Sequence, residues 1–98
     1  MTDAGLVQLK VLANLERLDL TATDFSDAGL EHLAGLTRLQ HLDLTATRVS
    51  NAGMVHLARL HNLRQVFLHK TQVTSVGIAE LKRALPACAI GWHLNDEP

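Results

Sequence analysis

Apolar residues recur along this chain in two alternating rhythms. In Leu18-Asp19-Leu20 and Leu42-Asp43-Leu44 they alternate with a polar residue at a period of two, as a strand with one buried face requires. Further on, Leu30, Leu33, Leu36 and Leu39, and then Met54, Leu57, Leu60 and Leu63, recur every third residue, which predicts a short helix packing its apolar stripe back onto the strand. Both rhythms return with a fixed step: Leu15-x-x-Leu18-x-Leu20-x-x-Thr23 is followed by Leu39-x-x-Leu42-x-Leu44-x-x-Thr47 and by Leu63-x-x-Val66-x-Leu68-x-x-Thr71. A second marker keeps the same step, in Thr2-Asp3-Ala4-Gly5-Leu6, Ser26-Asp27-Ala28-Gly29-Leu30, Ser50-Asn51-Ala52-Gly53-Met54 and Thr74-Ser75-Val76-Gly77-Ile78. A repeat of about 24 residues means one supersecondary unit stacked on copies of itself, with function in surface positions that differ between copies.

These motifs closely resemble the leucine-rich repeat family, over nearly the whole chain. Two departures are Thr at 23, 47 and 71, where the commonest form of the repeat has Asn, and the Thr/Ser-Asp-Ala-Gly-Leu segment before each helix. Both features are similar to bacterial, planctomycete-like repeat proteins and to the leucine-rich domains of some ubiquitin-ligase adaptors. The resemblance implies an α/β solenoid of about 3.5 repeats, with short parallel strands on a concave face and helices on a convex one. It also implies a recognition or scaffold role exercised by the concave face.

The marker segments have their own chemistry. Ser26-Asp27, Ser50-Asn51 and Thr2-Asp3 are expected to cap helix N-termini with side-chain oxygens. Gly5, Gly29, Gly53 and Gly77, with the small Ala4, Ala28 and Ala52 before them, are expected where stacked units approach closely. Thr23, Thr47 and Thr71 are expected to form an inward ladder whose hydroxyls meet backbone groups of the turn, with Phe25, Val49 and Val73 filling the core behind.

The two ends differ. Leu85-Pro86 breaks the repeat, Cys88-Ala89-Ile90-Gly91-Trp92 supplies a last strand, and a polar tail follows, resembling the terminal cap of bacterial relatives. The expected organisation is a single domain over 1–98, with a half-repeat helix at 1–14, repeats at 15–38, 39–62 and 63–86, and a capping strand and tail at 87–98. The opening half-repeat has no strand of its own, so the strand around Leu18 and Leu20 is expected to be an open edge. Two expectations follow: the chain is the C-terminal part of a longer repeat protein, or two copies join through Leu6, Leu9, Leu18 and Leu20 as a homodimer.

Composition narrows the choice of function. The 98 residues carry a formal net charge of -1 and only 3% aromatics, with basic residues scattered and no stacking platform, which argues against nucleic acid. No run of about 18 apolar residues and no signal-peptide pattern is present, so the expected setting is cytoplasmic by default, with no membrane span. Cys88 has no partner for a disulfide and no zinc spacing, and is expected to be a small buried apolar residue. The six histidines show no helical i, i+4 pair of a zinc enzyme, and are expected to be solvated or lightly hydrogen-bonded. No cofactor, metal or catalytic motif is expected.

Candidate binding residues are the outward strand positions, which form the columns Arg17, His41, Gln65; Asp19, Asp43, Phe67; Thr21, Thr45, His69; and Ala22, Ala46, Lys70. The third rung breaks the pattern, carrying Phe67, His69 and Lys70 where the others carry acids and small residues, with Arg64 at its rim. Aromatic residues beside Arg or Lys are what protein-binding hot spots are made of. Phe67 is therefore either an anchor for a protein partner or a ring packed on a neighbouring rung or on the C-terminal segment. Asp19 and Asp43, with Arg17 and His41 flanking them, belong to the same face. Their spacing of about 5 Å is near that of a retaining glycosidase pair, but an exposed pair with nothing to desolvate one acid is not expected to catalyse. The expected function is non-catalytic protein recognition, and the alternative is a structural block that caps or stabilises an array without a ligand of its own.

Overall fold

The computed structural model describes residues 14–33 and 35–93. These form an α/β arrangement with one four-stranded parallel sheet and, among the described residues, three α-helices. The elements follow in the order β1 (Arg17–Asp19), α1 (Asp27–Leu33), β2 (His41–Asp43), a 3-10 turn (Asn51–Gly53), α2 (Met54–Leu57), β3 (Gln65–Phe67), α3 (Ser75–Ala84) and β4 (Ala89–Gly91). Strand order equals chain order, and each strand pairs with the residues 24 positions on: Leu18 with Leu42, Leu42 with Val66, Val66 with Ile90.

The strands are shorter than the alternation suggests, three residues each, yet their hydrogen-bond ladder runs further. Leu20 N–H donates to Asp43 O and Leu44 N–H to Phe67 O, both at 2.9 Å, and Ala22 and Ala46 continue the ladder to Thr45 O and His69 O. That continuation goes with φ of 58° and 59° at Ala22 and Ala46, the left-handed region that disfavours any residue with a Cβ, and Lys70 at the equivalent position takes 56°. No glycine marks these turns, so the alternation gave no sign of them.

Between strands and helices, the three threonines behave as expected. Thr23, Thr47 and Thr71 donate their hydroxyls to the carbonyls of Leu20, Leu44 and Leu68 at 2.8, 2.7 and 2.8 Å. The oxygens of Thr23 and Thr71 also accept from the N–H of Phe25 and Val73. Each turn is thereby satisfied internally, which lets Phe25, Val49 and Val73 sit behind it with no exposure at all.

The helix starts correct the capping expectation at Ser50-Asn51, and Thr74 behaves the same way. Neither Ser50 nor Thr74 makes a side-chain cap to its own helix. Their polar groups turn instead to the preceding unit: Ser50 N–H donates to Asp27 Oδ1 at 2.8 Å and its hydroxyl to Asp27 Oδ2 at 2.5 Å. One unit later Thr74 N–H donates to Asn51 Oδ1 at 2.9 Å, while Asn51 Nδ2 donates to Thr74 Oγ1 at 2.8 Å. The Asp or Asn therefore staples unit to unit, and this explains the glycines. A Cβ at Gly53 would run into the Asp27 carboxylate and Leu30, and one at Gly77 into the Asn51 side chain.

The period of three also resolves differently. Helix α1 ends at Leu33 and α2 at Leu57, after which Leu36, Leu39, Leu60 and Leu63 are set by single i to i−3 bonds of 2.9 to 3.0 Å. A spacing of three is the period of such turns rather than of an α-helix. The outcome for burial is the same, since all four leucines lie in the core. Helix α3 runs furthest, with Lys82 and Arg83 in its last turn, and stops just before Leu85-Pro86 as the proline dictates.

At the far end, Trp92 packs against the core and donates its indole N–H to Val73 O at 3.2 Å. Cys88 is buried just before β4, and desolvation pushes its thiol above the ordinary value, so it is the inert small residue expected. None of the helices among the described residues is long and apolar enough to cross a membrane.

Two stability measurements check this account. Asp27→Ala strands the Ser50 N–H and hydroxyl and is expected to cost about 1–3 kcal/mol in denaturant unfolding, whereas Asp27→Asn, which copies the Asn51 arrangement, recovers most of it. Lys70→Gly relieves a left-handed residue and is expected to raise stability by about 0.5–1 kcal/mol, opposite in sign to a glycine placed in a helix.

Candidate functional site

The outer face of the sheet is where the sequence departs from its own repetition. Because residues alternate across a strand, Leu18, Leu42, Val66 and Ile90 turn toward the core and their neighbours turn outward in two rows. One row pairs Arg17, His41, Gln65 and Ala89; the other pairs Asp19, Asp43, Phe67 and Gly91. Arg17, Leu18, Asp19, His41, Leu42, Asp43 and Phe67 together line a concavity of about 280 Å³.

The carboxylates are held in place by the turns that follow them. Asp19 Oδ1 accepts from the N–H of Thr21 at 2.9 Å and from its hydroxyl at 2.6 Å, and Asp43 Oδ1 accepts from Thr45 N–H at 2.9 Å. The Thr21 hydroxyl, then its N–H, hold the Asp19 carboxyl below its ordinary value of 3.8. A general acid needs the opposite shift.

Phe67 takes the acid's place in the third rung, and its ring finds support on the fourth. A Cβ on Gly91 would collide with Cδ1 of that ring and would lie 3.1 Å from Cε1 and from His69 Nε2. The ring also stacks on His69, with centroids 6.2 Å apart, and His69 stacks in turn on His93 at 5.6 Å. Packing on a neighbouring rung is therefore real, and it does not hide the residue: Phe67 stays half-buried and walls one end of the concavity.

The sequence-derived candidates thus divide. Arg17, Asp19, His41, Asp43 and Phe67 share one concavity, and His69 adjoins it through the Phe67 ring. Lys70 occupies the left-handed turn and Arg64 is exposed before β3, and neither contributes to the lining. Gly91 was missed, and a glycine opposite an aromatic is the signal that could have found it; the repeat phase that His93 shares with His69 already pointed to their being neighbours.

The edge candidates divide as well. Leu6 and Leu9 lie outside the described residues. Leu18 is half-buried against the core, and Leu20 is only 1% exposed, so its side chain is not available to a second copy. Among the described residues, strand β1 is terminal in the sheet order.

On the helical side, His32 and His56 share a repeat phase, and each has a buried Nδ1 with no hydrogen-bond partner. The expectation of solvated or lightly hydrogen-bonded imidazoles therefore fails for this one nitrogen of each ring, while both residues stay partly exposed. Among the described residues no group of three or more His, Cys, Asp or Glu is placed to hold a metal ion.

The turn geometry yields a pH prediction. With its folded value lowered, Asp19 adds stability that is present above its unfolded value and lost as pH falls through the folded one. In a carboxyl-resolved NMR titration Asp19 is expected to titrate below 3.8, and Thr21→Val to move its midpoint upward. An unchanged midpoint in that variant would remove the hydroxyl as the cause.

No protein-family model matches the chain, and no curated protein is significantly similar to it.

Proposed function

We propose that the chain is a leucine-rich repeat solenoid that recognises a protein partner through the outer face of its sheet, without catalysis of its own. Supporting the repeat reading is the parallel register, in which each rung is the residue 24 positions further on, together with the Thr hydroxyl and Asp/Asn staples recurring at that step. Supporting recognition is one observation above the rest: Phe67 follows two acids in its row, half-buried, at the wall of the concavity. Aromatic anchors in partly enclosed sites carry much of the energy of protein interfaces. The lowered Asp19 value fits a solvated surface carboxylate rather than an acid catalyst.

A second reading has an observation of its own. The Phe67 ring over Gly91 and the Trp92 bond to Val73 both tie the last rung down, as a terminal block without a ligand would require.

Phe67→Asp separates the two. It restores the column's acid and supplies the acceptor that Asp19 and Asp43 give to the residue two positions on, so the fold is expected to stay within about 1 kcal/mol of the parent. Random peptides displayed on phage and selected on the full chain are expected to lose at least about tenfold in affinity for this variant. Loss of several kcal/mol in stability, with no selected peptide telling the two proteins apart, supports the structural block instead.

A further inference from the structure

Resting on the recognition reading just given, the concavity also specifies what the partner brings to it. We propose that it receives one arginine side chain of a partner polypeptide, the guanidinium lying against the Phe67 ring and donating to the Asp19 and Asp43 carboxylates. A volume of about 280 Å³ is the size of a site for one long side chain, not for a folded element. One part of its wall is the Phe67 ring, which lies close against Gly91 and stacks on His69. An aromatic ring attracts a cation to its face, and a flat guanidinium stacks there better than a compact ammonium does.

Charge places the cation in one half of the concavity. Asp19, Asp43 and Phe67 are consecutive members of a single row, whereas Arg17 and His41 lie in the row two residues back along each strand. A cationic group is therefore drawn to the first row and kept from the second. Each carboxylate gives Oδ1 to its own turn, and Oδ2 has no hydrogen-bond partner among the described residues. Two acceptors beside a ring is the complement of a planar fork of N–H donors.

The test uses the full chain labelled with 15N and titrated with Nα-acetyl-arginine amide, against Nα-acetyl-citrulline amide as the neutral isostere. Saturable amide shifts are expected around 19–21, 43–45 and 67–69 with the arginine probe, and at least about tenfold weaker binding of citrulline. The double variant Asp19→Asn, Asp43→Asn keeps the Oδ1 acceptors of both turns and so the fold, and is expected to lose about tenfold in arginine affinity. Equal shifts with the two probes, or an unchanged affinity in the double variant, overturn the proposal. The displayed peptides distinguish its failure from that of the recognition reading. Peptides that need Phe67 but contain no arginine overturn the occupant alone, whereas no Phe67-dependent peptide at all overturns both.

Discussion

The parallel register of one strand on the next, 24 residues apart, is the constraint from which the rest of this structure follows. Once Leu18 lies beside Leu42 and Leu42 beside Val66, every position in a unit has its counterpart as a neighbour, and whatever one unit does with a backbone group the next must be able to do again. A polar group buried in one layer is buried in all of them. The chain meets this with hydrogen bonds that recur at each step: a threonine hydroxyl on the carbonyl three residues back, and an Asp or Asn side chain bonded to the backbone N–H and hydroxyl of the Ser or Thr of the next unit. Buried leucines fill the space between, and their uniformity is a consequence of the register rather than a separate design.

The same constraint explains why the unusual residues are few and where they fall. Inward positions vary only among apolar residues, as Phe25, Val49 and Val73 do, so changes of chemistry fall on outward ones. There the row Asp19, Asp43, Phe67, Gly91 changes chemistry from rung to rung while its backbone does not. The change is coordinated: a ring placed at 67 needs room at 91, and glycine supplies it. A carboxylate at 19 or 43 needs an anchor, and the following turn supplies that. The surface is thus assembled from local pairs, each of which costs the core nothing.

His32 and His56 present a different case. They too obey the repeat, but a buried Nδ1 without a partner in both units is a recurring cost, since an unsatisfied buried polar atom loses its hydration without compensation.

Alternation, spacing and the order of motifs were enough to determine the strands, their parallel sequence, the inward leucines, the threonine ladder and the outward rows, because each depends only on a period that the chain repeats. They failed where geometry depends on a neighbour a full unit away. Asp27 and Asn51 read as helix caps because capping is local; only the stacked backbone shows that the nearer donor belongs to the next unit. Ala22, Ala46 and Lys70 gave no hint of left-handed backbone, since the ladder bonds that impose it at the first two come from the adjoining strand. Leu20 reads as an edge residue and is instead core. The concavity itself, and the seating of the Phe67 ring on Gly91, were decided by the tertiary structure alone, for both arise from side chains of different rungs meeting across strands that the sequence holds two dozen residues apart.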